Sequence, residues 1–381
     1  MMSDYFLWNA SSEIFSTGTF HLYWYAVWII LAFIFSIYFL KKLTLKENTL
    51  NRQIQTLVLV TLITGLFVSR WGAAILNHQK AIAGDVASTI SPLVLKPSPG
   101  FIGIQNMSLP AGILGIILGT WLFSRFITKD SRFTFILDRV AIVSCLAGGV
   151  LFISNLFNSV YLGSPTDAAD GTVFVRPVTD GLRKLNCCIM RNPDGPNPLI
   201  EVNVKKADNK LSKEVGGRNI ALMLTFKPGM EEREATEFII GDVKTYLFEH
   251  SLYVRESGSE PVKYALSKSA KGNIQATITT IGIARHPVQL YMAFLCFVLF
   301  ILFYFALLNK SNTMEHGVAA GAIIALFSLF YFLISFILDE RTPVIRSYGL
   351  QNNQWLTLVV FAIGIFLIFK HKSQTSVTVK S

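Results

Sequence analysis

Two asparagines, Asn155 and Asn158, lie three residues apart in a segment that is otherwise apolar enough to cross a membrane. On a helix this spacing places both amides on one face. An amide without a hydrogen-bond partner costs several kilocalories per mole in hydrocarbon, so both side chains are expected to face protein, water or a ligand. These amides therefore suit hydrogen bonding to a polar group at the membrane. The segment ends at Gly163, and a long polar stretch follows.

A second polar group, Arg285 and His286, precedes another apolar run, with Pro287 suited to the first turn of its helix. Arg binds phosphate through two parallel hydrogen bonds. His can act as a base at neutral pH. The alternative is that both residues anchor a helix end at the interface, where lipid phosphates lie.

Other polar residues beside apolar runs have simpler interpretations. Arg70 can extend its charge to the interface or bind a phosphate. Asp138 and Arg139 can pair with each other or anchor a helix end. The aromatic residues 23–25 are typical of an interfacial belt.

The composition places the chain among polytopic membrane proteins. Hydrophobic residues make up 52% and charged residues 15% of the sequence. Seven apolar runs are long enough to span a membrane, or nearly so, and predict a bundle of seven transmembrane helices. The runs lie near 20–40, 56–77, 109–128, 135–158, 287–308, 316–338 and 354–370.

The distribution of Lys and Arg orients this bundle. Basic residues follow the first and third spans and fill the C-terminal tail, so that side is predicted to be cytoplasmic. The N-terminus and residues 164–284 would then lie outside. The net charge of +10 fits this insertion topology and does not indicate nucleic-acid binding. Residues 1–20 contain Asp4 and Glu13 and no Lys or Arg, so they are not expected to be a signal peptide.

The four cysteines carry little functional signal. Cys145 and Cys296 fall in spans and are expected to be inert packing residues. Cys187 and Cys188 are adjacent and could form a vicinal disulfide or pair outside the chain. Their spacing matches no zinc site, and we expect no metal or cofactor.

Three parts of the chain are therefore predicted: a transmembrane part at 1–163, an extracytoplasmic insert at 164–284 and a second transmembrane part at 285–381. Within the insert, 164–198 is expected to be an extended loop because it is rich in Pro, Gly, Asp and Asn. Alternating segments and one helix follow in the order β-β-α-β-β, which predicts a small α+β domain. Apolar residues on one face of the helix are expected to join the core; they are Phe238, Ile239, Val243, Tyr246 and Leu247.

Seven ordered segments together resemble the bacterial prolipoprotein diacylglyceryl transferases. The two most specific are the run Leu146 to Gly163 and the segment Arg285-His286-Pro287-Val288-Gln289-Leu290-Tyr291. The others are Trp24-Tyr25, Arg70-Trp71-Gly72, Ser108 to Gly115, Asp138-Arg139 and Gln354-Trp355-Leu356.

The resemblance implies a bacterial inner-membrane enzyme that moves diacylglycerol from phosphatidylglycerol to a cysteine thiol of an exported lipoprotein precursor. Such a reaction needs a deprotonated thiol and a stabilised phosphate charge. The residues that the resemblance assigns to lipid or phosphate binding are Tyr25, Arg70, Asn155, Asn158, Gly163, Arg285, Gln289 and Tyr291.

The sequence departs from the family where the chemistry would occur. Pro110 stands where the resemblance expects a His, and Phe152 stands where it expects an Arg. Val160 replaces an acidic residue, while Tyr331 and Ser335 replace the Arg and Glu of the sixth span. Proline cannot transfer a proton, and loss of a general base removes about 10²–10⁴ in rate.

Three hypotheses follow. The favoured one is a family member without the usual catalytic set, which binds a phospholipid and a lipoprotein precursor or another envelope protein. The alternative is an active transferase with a rearranged site, in which Tyr25, Arg70 and Arg285 hold phosphate and His286 is the base. A transporter or channel is disfavoured because the sequence shows no inverted repeat and the spans lack buried charge pairs.

Overall fold

The computed structural model divides the chain into two compact units. One, the head unit, comprises Met1–Tyr23 and Asn155–Val288, and the other, the membrane unit, comprises Trp24–Ser154 and Gln289–Ser381. The structure describes residues 5–11, 13–17, 20–45, 48–76, 93–94, 100–101, 107–128, 133–185, 196–211, 215–256, 259–269, 272–309, 314–338, 346–347 and 349–378.

Eleven α-helices are found in the described residues. They are α1 Trp24–Leu43, α2 Asn48–Arg52, α3 Ile54–Leu76, α4 Leu109–Phe126, α5 Phe133–Phe157, α6 Arg176–Lys184, α7 Glu232–Phe238, α8 Lys244–Glu249, α9 Val288–Leu308, α10 Val318–Ile334 and α11 Asn352–Thr378. A π-helical turn, Ile239–Val243, joins α7 to α8.

Thirteen strands are found in the same residues. They are β1 Phe6–Trp8, β2 Glu13–Thr17, β3 Phe20–Tyr23, β4 Leu93–Val94, β5 Gly100–Phe101, β6 Thr172–Phe174, β7 Leu199–Leu211, β8 Gly217–Phe226, β9 Val254–Arg255, β10 Lys263–Lys268, β11 Ile274–Arg285, β12 Arg346–Ser347 and β13 Leu350–Gln351.

Six helices of the described chain are long and apolar enough to cross a membrane: α1, α3, α4, α5, α9 and α11. Each coincides with one of the predicted apolar runs. The chain is therefore a polytopic helical membrane protein. The remaining run, 316–338, contains α10, an apolar helix of 17 residues, so the number seven stays a prediction.

Glycines allow the helices of the membrane unit to approach closely. A Cβ on Gly115 of α4 would lie 2.5 Å from the Thr64 carbonyl oxygen of α3. A Cβ on Gly364 of α11 would lie 2.7 Å from the Ala325 backbone nitrogen of α10. Because helices in lipid associate through tight packing, these glycines hold the pairs α3–α4 and α10–α11 together.

Asp138 and Arg139, near the start of α5, anchor two other helix ends. Asp138 Oδ2 accepts a hydrogen bond from the Gly317 amide (2.7 Å) and Oδ1 accepts one from the Ala320 amide (2.8 Å), so its carboxylate caps the N-terminus of α10. Arg139 Nε donates to the carbonyl of Leu43, the last residue of α1 (3.2 Å). Both residues thus anchor helix ends, but those of α10 and α1 rather than the end of their own span.

The head unit is built on a seven-stranded sheet. Five strands follow the order β1-β6-β11-β8-β7, and β9 and β10 also pair with β11. β1 is parallel to β6, and the other pairs are antiparallel. The N-terminal strand therefore completes a sheet whose other strands lie more than 160 residues later.

The strands and the helix predicted for the insert coincide with β7, β8, the helical segment 232–249, β10 and β11; the two-residue strand β9, between that segment and β10, was not predicted. The apolar stripe of that segment is core, because Phe238, Ile239, Val243 and Leu247 are almost fully buried against the sheet. Tyr246 packs against the same cluster and is partly buried.

The prediction of an extended loop at 164–198 is wrong in part, because β6 and α6 lie within it. β6 has only three residues, all buried, which are too few to show the two-residue period of a strand. α6 is also short, and its buried face consists of Val178, Thr179 and Leu182. Cys187 and Cys188 lie outside the described residues.

Candidate functional site

The asparagine pair lies at the C-terminal end of α5. Asn155 is in the last turn, whereas Asn158 is the first residue beyond the helix, so the helical spacing argument does not apply to it directly. The Ser159 amide donates to the Leu156 carbonyl and the Val160 amide to the Asn155 carbonyl, both at 3.2 Å. These two bonds form a Schellman motif, which terminates the helix.

Two non-glycine residues, one in the motif and one directly after it, lie in the left-handed region. Ser159 has φ 50° and Tyr161 has φ 58°. Non-glycine residues rarely adopt this conformation, and it costs about 1–2 kcal/mol per residue. The backbone after Asn158 is thus held in a strained path, and such strain often accompanies functional loops. Burial raises the pKa of the Tyr161 hydroxyl.

Gly163 lies against the residues that lead into α9. Its amide donates to the His286 carbonyl at 3.1 Å. A Cβ at this position would lie 2.6 Å from the His286 Cβ, so a side chain would not fit without movement. The structure therefore brings together three of the predicted residues: Gly163, Arg285 and His286.

Arg285 links three segments of the head unit. Its guanidinium donates to the Gly163 carbonyl (3.0 Å) and to the Leu252 carbonyl (2.9 Å), and the residue is only 4% exposed. At least two of its donors therefore bind the main chain. This is a structural use of a residue for which the sequence suggests phosphate binding.

A polar network lies at one end of the membrane unit. Ser69 Oγ of α3 donates to the Ser108 carbonyl (2.8 Å), and Ser108 Oγ donates to Asn353 Oδ1 of α11 (2.8 Å). Ser108 is also the N-cap of α4. Hydroxyl and amide groups thus join the C-terminal end of α3 to the N-terminal ends of α4 and α11.

The same end of α11 also contacts the C-terminal end of α10. Gln354 Nε2 donates to Ser335 Oγ (2.9 Å), and Gln354 Oε1 accepts from the Gln351 amide (2.8 Å). Gln351 is 9% exposed, and its Oε1 is a buried acceptor without a hydrogen-bond partner in the described part of the chain. We call Ser69, Ser108, Ser335, Gln351, Asn353 and Gln354 the polar network.

The other predicted lipid-binding residues belong to the membrane unit. Arg70 follows Ser69 on α3 and is 9% exposed. Tyr25 is the second residue of α1 and is half-buried. Gln289 and Tyr291 lie in the first turn of α9, where Gln289 is fully buried and Tyr291 half-buried.

The positions that depart from the family are mostly buried. Pro110 is buried in the first turn of α4, and Phe152 and Tyr331 are less than one-tenth exposed. Ser335 takes part in the polar network, whereas Val160 lies in the Schellman motif of the head unit. At these positions the structure therefore offers apolar, aromatic and hydroxyl groups.

The buried acidic and basic side chains in the described membrane unit are Arg70 and Asp138. Asp138 caps the N-terminus of α10, whereas Ser335 follows its C-terminus, so the carboxylate and the network are separated by the length of the helix, about 25 Å. The buried groups at the network end can thus bind a polar or anionic group, but in the described residues they include no carboxylate or imidazole to move a proton.

Sequence reasoning missed Ser69 and Asn353 as parts of a network. A single serine in a span gives no sign of a network, because its hydroxyl can donate to a backbone carbonyl of its own helix. Two signals were available: Ser108 directly precedes Leu109-Pro110, a pattern typical of a helix N-cap, and the amides 352–354 open an apolar run.

Comparison with known proteins identifies the family. The sequence model of the family described as prolipoprotein diacylglyceryl transferase matches residues 12–370. The chain belongs to this family. Because its relatives are bacterial, this family member is a bacterial membrane protein.

Individual relatives in the prolipoprotein diacylglyceryl transferase family are distant. The Chloroherpeton thalassium phosphatidylglycerol–prolipoprotein diacylglyceryl transferase is 28% identical over 174 residues, covering 46% of this chain and 61% of the relative. The enzyme of the same name from Bacteroides fragilis is 31% identical over 93 residues, 24% and 34% of the two chains. That from Bdellovibrio bacteriovorus is 24% identical over 277 residues, 69% and 65%. The chain thus matches less than two thirds of these relatives' lengths.

Proposed function

We propose that this family member binds a phosphatidylglycerol-like phospholipid and does not transfer its diacylglycerol. The observation that carries this proposal is the chemistry of the network end: Arg70 can hold a phosphate, and the hydroxyl and amide groups suit a glycerol headgroup. Gln351 Oε1 offers a buried acceptor for a headgroup hydroxyl. Among the described residues, the buried groups there include no acid or base that could move a proton.

The proposed membrane topology has seven crossings, with the N-terminus and the head unit outside and the C-terminus in the cytoplasm of the inner membrane. The contacts of α10 support this number. Asp138, near the start of α5, caps one end of α10, and Gln354, near the start of α11, bonds to Ser335 at its other end. A helix that extends from one end of the unit to the other is best placed as a span.

The lipid lies, in this proposal, in the outer leaflet beside the polar network. The head unit would contact a lipoprotein precursor or another envelope protein, since the named relatives act on a prolipoprotein. Asn155, Asn158 and Gly163 would then shape the strained loop of the head unit.

A binding experiment tests the lipid half of the proposal. The purified chain in phosphatidylglycerol-containing nanodiscs should retain this lipid on transfer to detergent, as measured by native mass spectrometry. Arg70→Gln should lower the affinity for phosphatidylglycerol roughly 10- to 100-fold, because a charge-assisted hydrogen bond contributes about 1.5–3 kcal/mol. The matched control is Arg125→Gln, an exposed arginine at the other end of the membrane unit, which should retain lipid like the parent. Equal retention in both variants would contradict the proposed site.

A complementation experiment tests the catalytic half. A bacterium depleted of its own diacylglyceryl transferase and expressing this chain should fail to grow and should accumulate unmodified lipoprotein precursors. Growth with diacylated lipoproteins would support the rearranged active site instead. In that case His286→Ala should abolish the rescue, and survival of this variant would exclude His286 as the base.

A further inference from the structure

The N-terminal hairpin stands apart from the sheet of the head unit. β2 and β3 form a separate two-stranded sheet in which Glu13 pairs with Tyr23 and Phe15 with Leu22, with a register shift between Glu13 and Phe15. A two-stranded hairpin is at best marginally stable in water. This hairpin therefore needs a surface to lie on.

The hairpin presents large apolar side chains to its surroundings. Ile14 is 38% exposed, Phe15 is 49% exposed and Tyr23 is 42% exposed. Because Phe15 pairs with Leu22 and Glu13 pairs with Tyr23, Phe15 and Tyr23 lie on opposite faces, so the hairpin exposes large apolar side chains on both faces. In a membrane protein, a hairpin that exposes apolar side chains on both faces, with a Tyr directly before a span, suits the lipid–water interface.

The hairpin and the helix that follows it carry little charge of their own. Between Tyr5 and Leu40 the sequence contains one carboxylate, Glu13, and no Lys or Arg. Burial raises the pKa of the Tyr23 hydroxyl, and its hydrogen bond to Glu13 raises it further. The single acidic side chain is thus partnered within the hairpin, which lowers the cost of bringing it near hydrocarbon.

The chain itself keeps the hairpin near the membrane. Tyr23 is bonded directly to Trp24, the first residue of the membrane-spanning helix α1. A strand rises about 3.3 Å per residue, and paired strands are about 5 Å apart, so Phe15 lies within about 12 Å of the start of the span. The headgroup layer is about 5–8 Å thick on each side of a bilayer.

We infer that the hairpin is a membrane-inserted element, which places Ile14, Phe15 and Tyr23 in the interfacial layer of the leaflet that receives the N-terminal end of α1. Its partner is the lipid surface itself. The hairpin then adds a second contact with the bilayer beside the spans, and it fixes the start of α1 relative to the headgroups. This inference does not depend on lipid binding at the polar network.

Tryptophan quenching tests the inference on the full chain in lipid vesicles. Phe15→Trp adds a reporter with a conservative change, and Phe248→Trp is the matched control because Phe248 is 55% exposed on α8 of the head unit. The signal is the fluorescence of each variant minus that of the parent. Phospholipids brominated near the headgroup should quench the signal from position 15 at least twofold, and aqueous acrylamide should quench it less than the signal from position 248.

Two outcomes would overturn the inference. One is acrylamide quenching at position 15 equal to that at position 248, with no effect of the brominated lipids. The other comes from photo-cross-linking with benzoylphenylalanine placed at position 15 or at position 248. We expect this residue to attach phospholipid at position 15 and not at position 248. A cross-link from position 15 to a second polypeptide, without lipid adducts, would show that a protein covers the hairpin.

Discussion

At the scale of single residues, Ser159 carries the clearest structural consequence. It occupies the left-handed position of the Schellman motif, where glycine is favoured. We predict that Ser159→Gly raises the free energy of unfolding by about 0.5–1 kcal/mol, because relief of strain exceeds the added flexibility of the unfolded chain. The measurement is thermal unfolding in detergent.

Ser159→Ala is the matched control, because it removes the hydroxyl but keeps the strained Cβ. The alanine variant should not be stabilised. A gain equal to that of the glycine variant would show that the hydroxyl, and not the backbone conformation, is unfavourable at this position.

Asp167 gives a pH prediction at the same scale. The amide of Gly216 lowers the pKa of this carboxyl below its usual 3.8, and Arg218 at 3.0 Å lowers it further. A lowered folded-state pKa stabilises the protein above pH 3.8, and this stabilisation is lost as the pH falls through the folded-state value. Thermal stability should therefore fall below about pH 4 in the parent.

Asp167→Asn should remove part of the loss of stability at acid pH. It should also lower stability at neutral pH, because the neutral amide is a weaker acceptor for Arg218, which is only 4% exposed. Asp170→Asn, three residues further along the chain, is the control and should keep the parental pH profile. If Asp167→Asn loses as much thermal stability at acid pH as the parent does, Asp167 is not the group responsible for that loss.

At the scale of elements, the junction between α5 and α10 depends on Asp138. Its two oxygens accept from the Gly317 and Ala320 amides, so Asp138→Ala leaves two buried donors unsatisfied. Each such donor costs about 1–3 kcal/mol. We expect a loss of about 2 kcal/mol or more in detergent stability.

Asp138→Asn should lose less, because the amide oxygen can still accept one of the two bonds. This ordering distinguishes capping from simple packing. If the alanine and asparagine variants are equally stable to heat, the cap is not what holds α10.

Helices and strands whose apolar residues follow a clear period could be predicted from the sequence. Elements that form only by pairing with residues far away in the chain could not. Long apolar runs located the spanning helices, and alternation located β7, β8, β10 and β11, because their own residues decide their burial. β1 and β6 have three residues each and exist through pairing across the chain. The network between Ser108 and Asn353 has the same origin, since the residues are 245 positions apart.

At the scale of the whole molecule, the chain combines a family fold with a changed interior. Its sequence matches the prolipoprotein diacylglyceryl transferase family along almost its whole length. Apolar, aromatic and hydroxyl groups, most of them buried, occupy the positions where the family resemblance expects His, Arg and an acidic residue. We propose that the chain keeps a lipid-binding surface although its proton-transfer groups are replaced.

The most direct test follows lipid and peptide together. The purified chain is incubated with phosphatidylglycerol and a lipoprotein-precursor peptide that contains one cysteine, and both partners are read by mass spectrometry. We predict that the protein carries phosphatidylglycerol while the peptide mass is unchanged. A peptide heavier by one diacylglyceryl group, with release of glycerol phosphate, would contradict it.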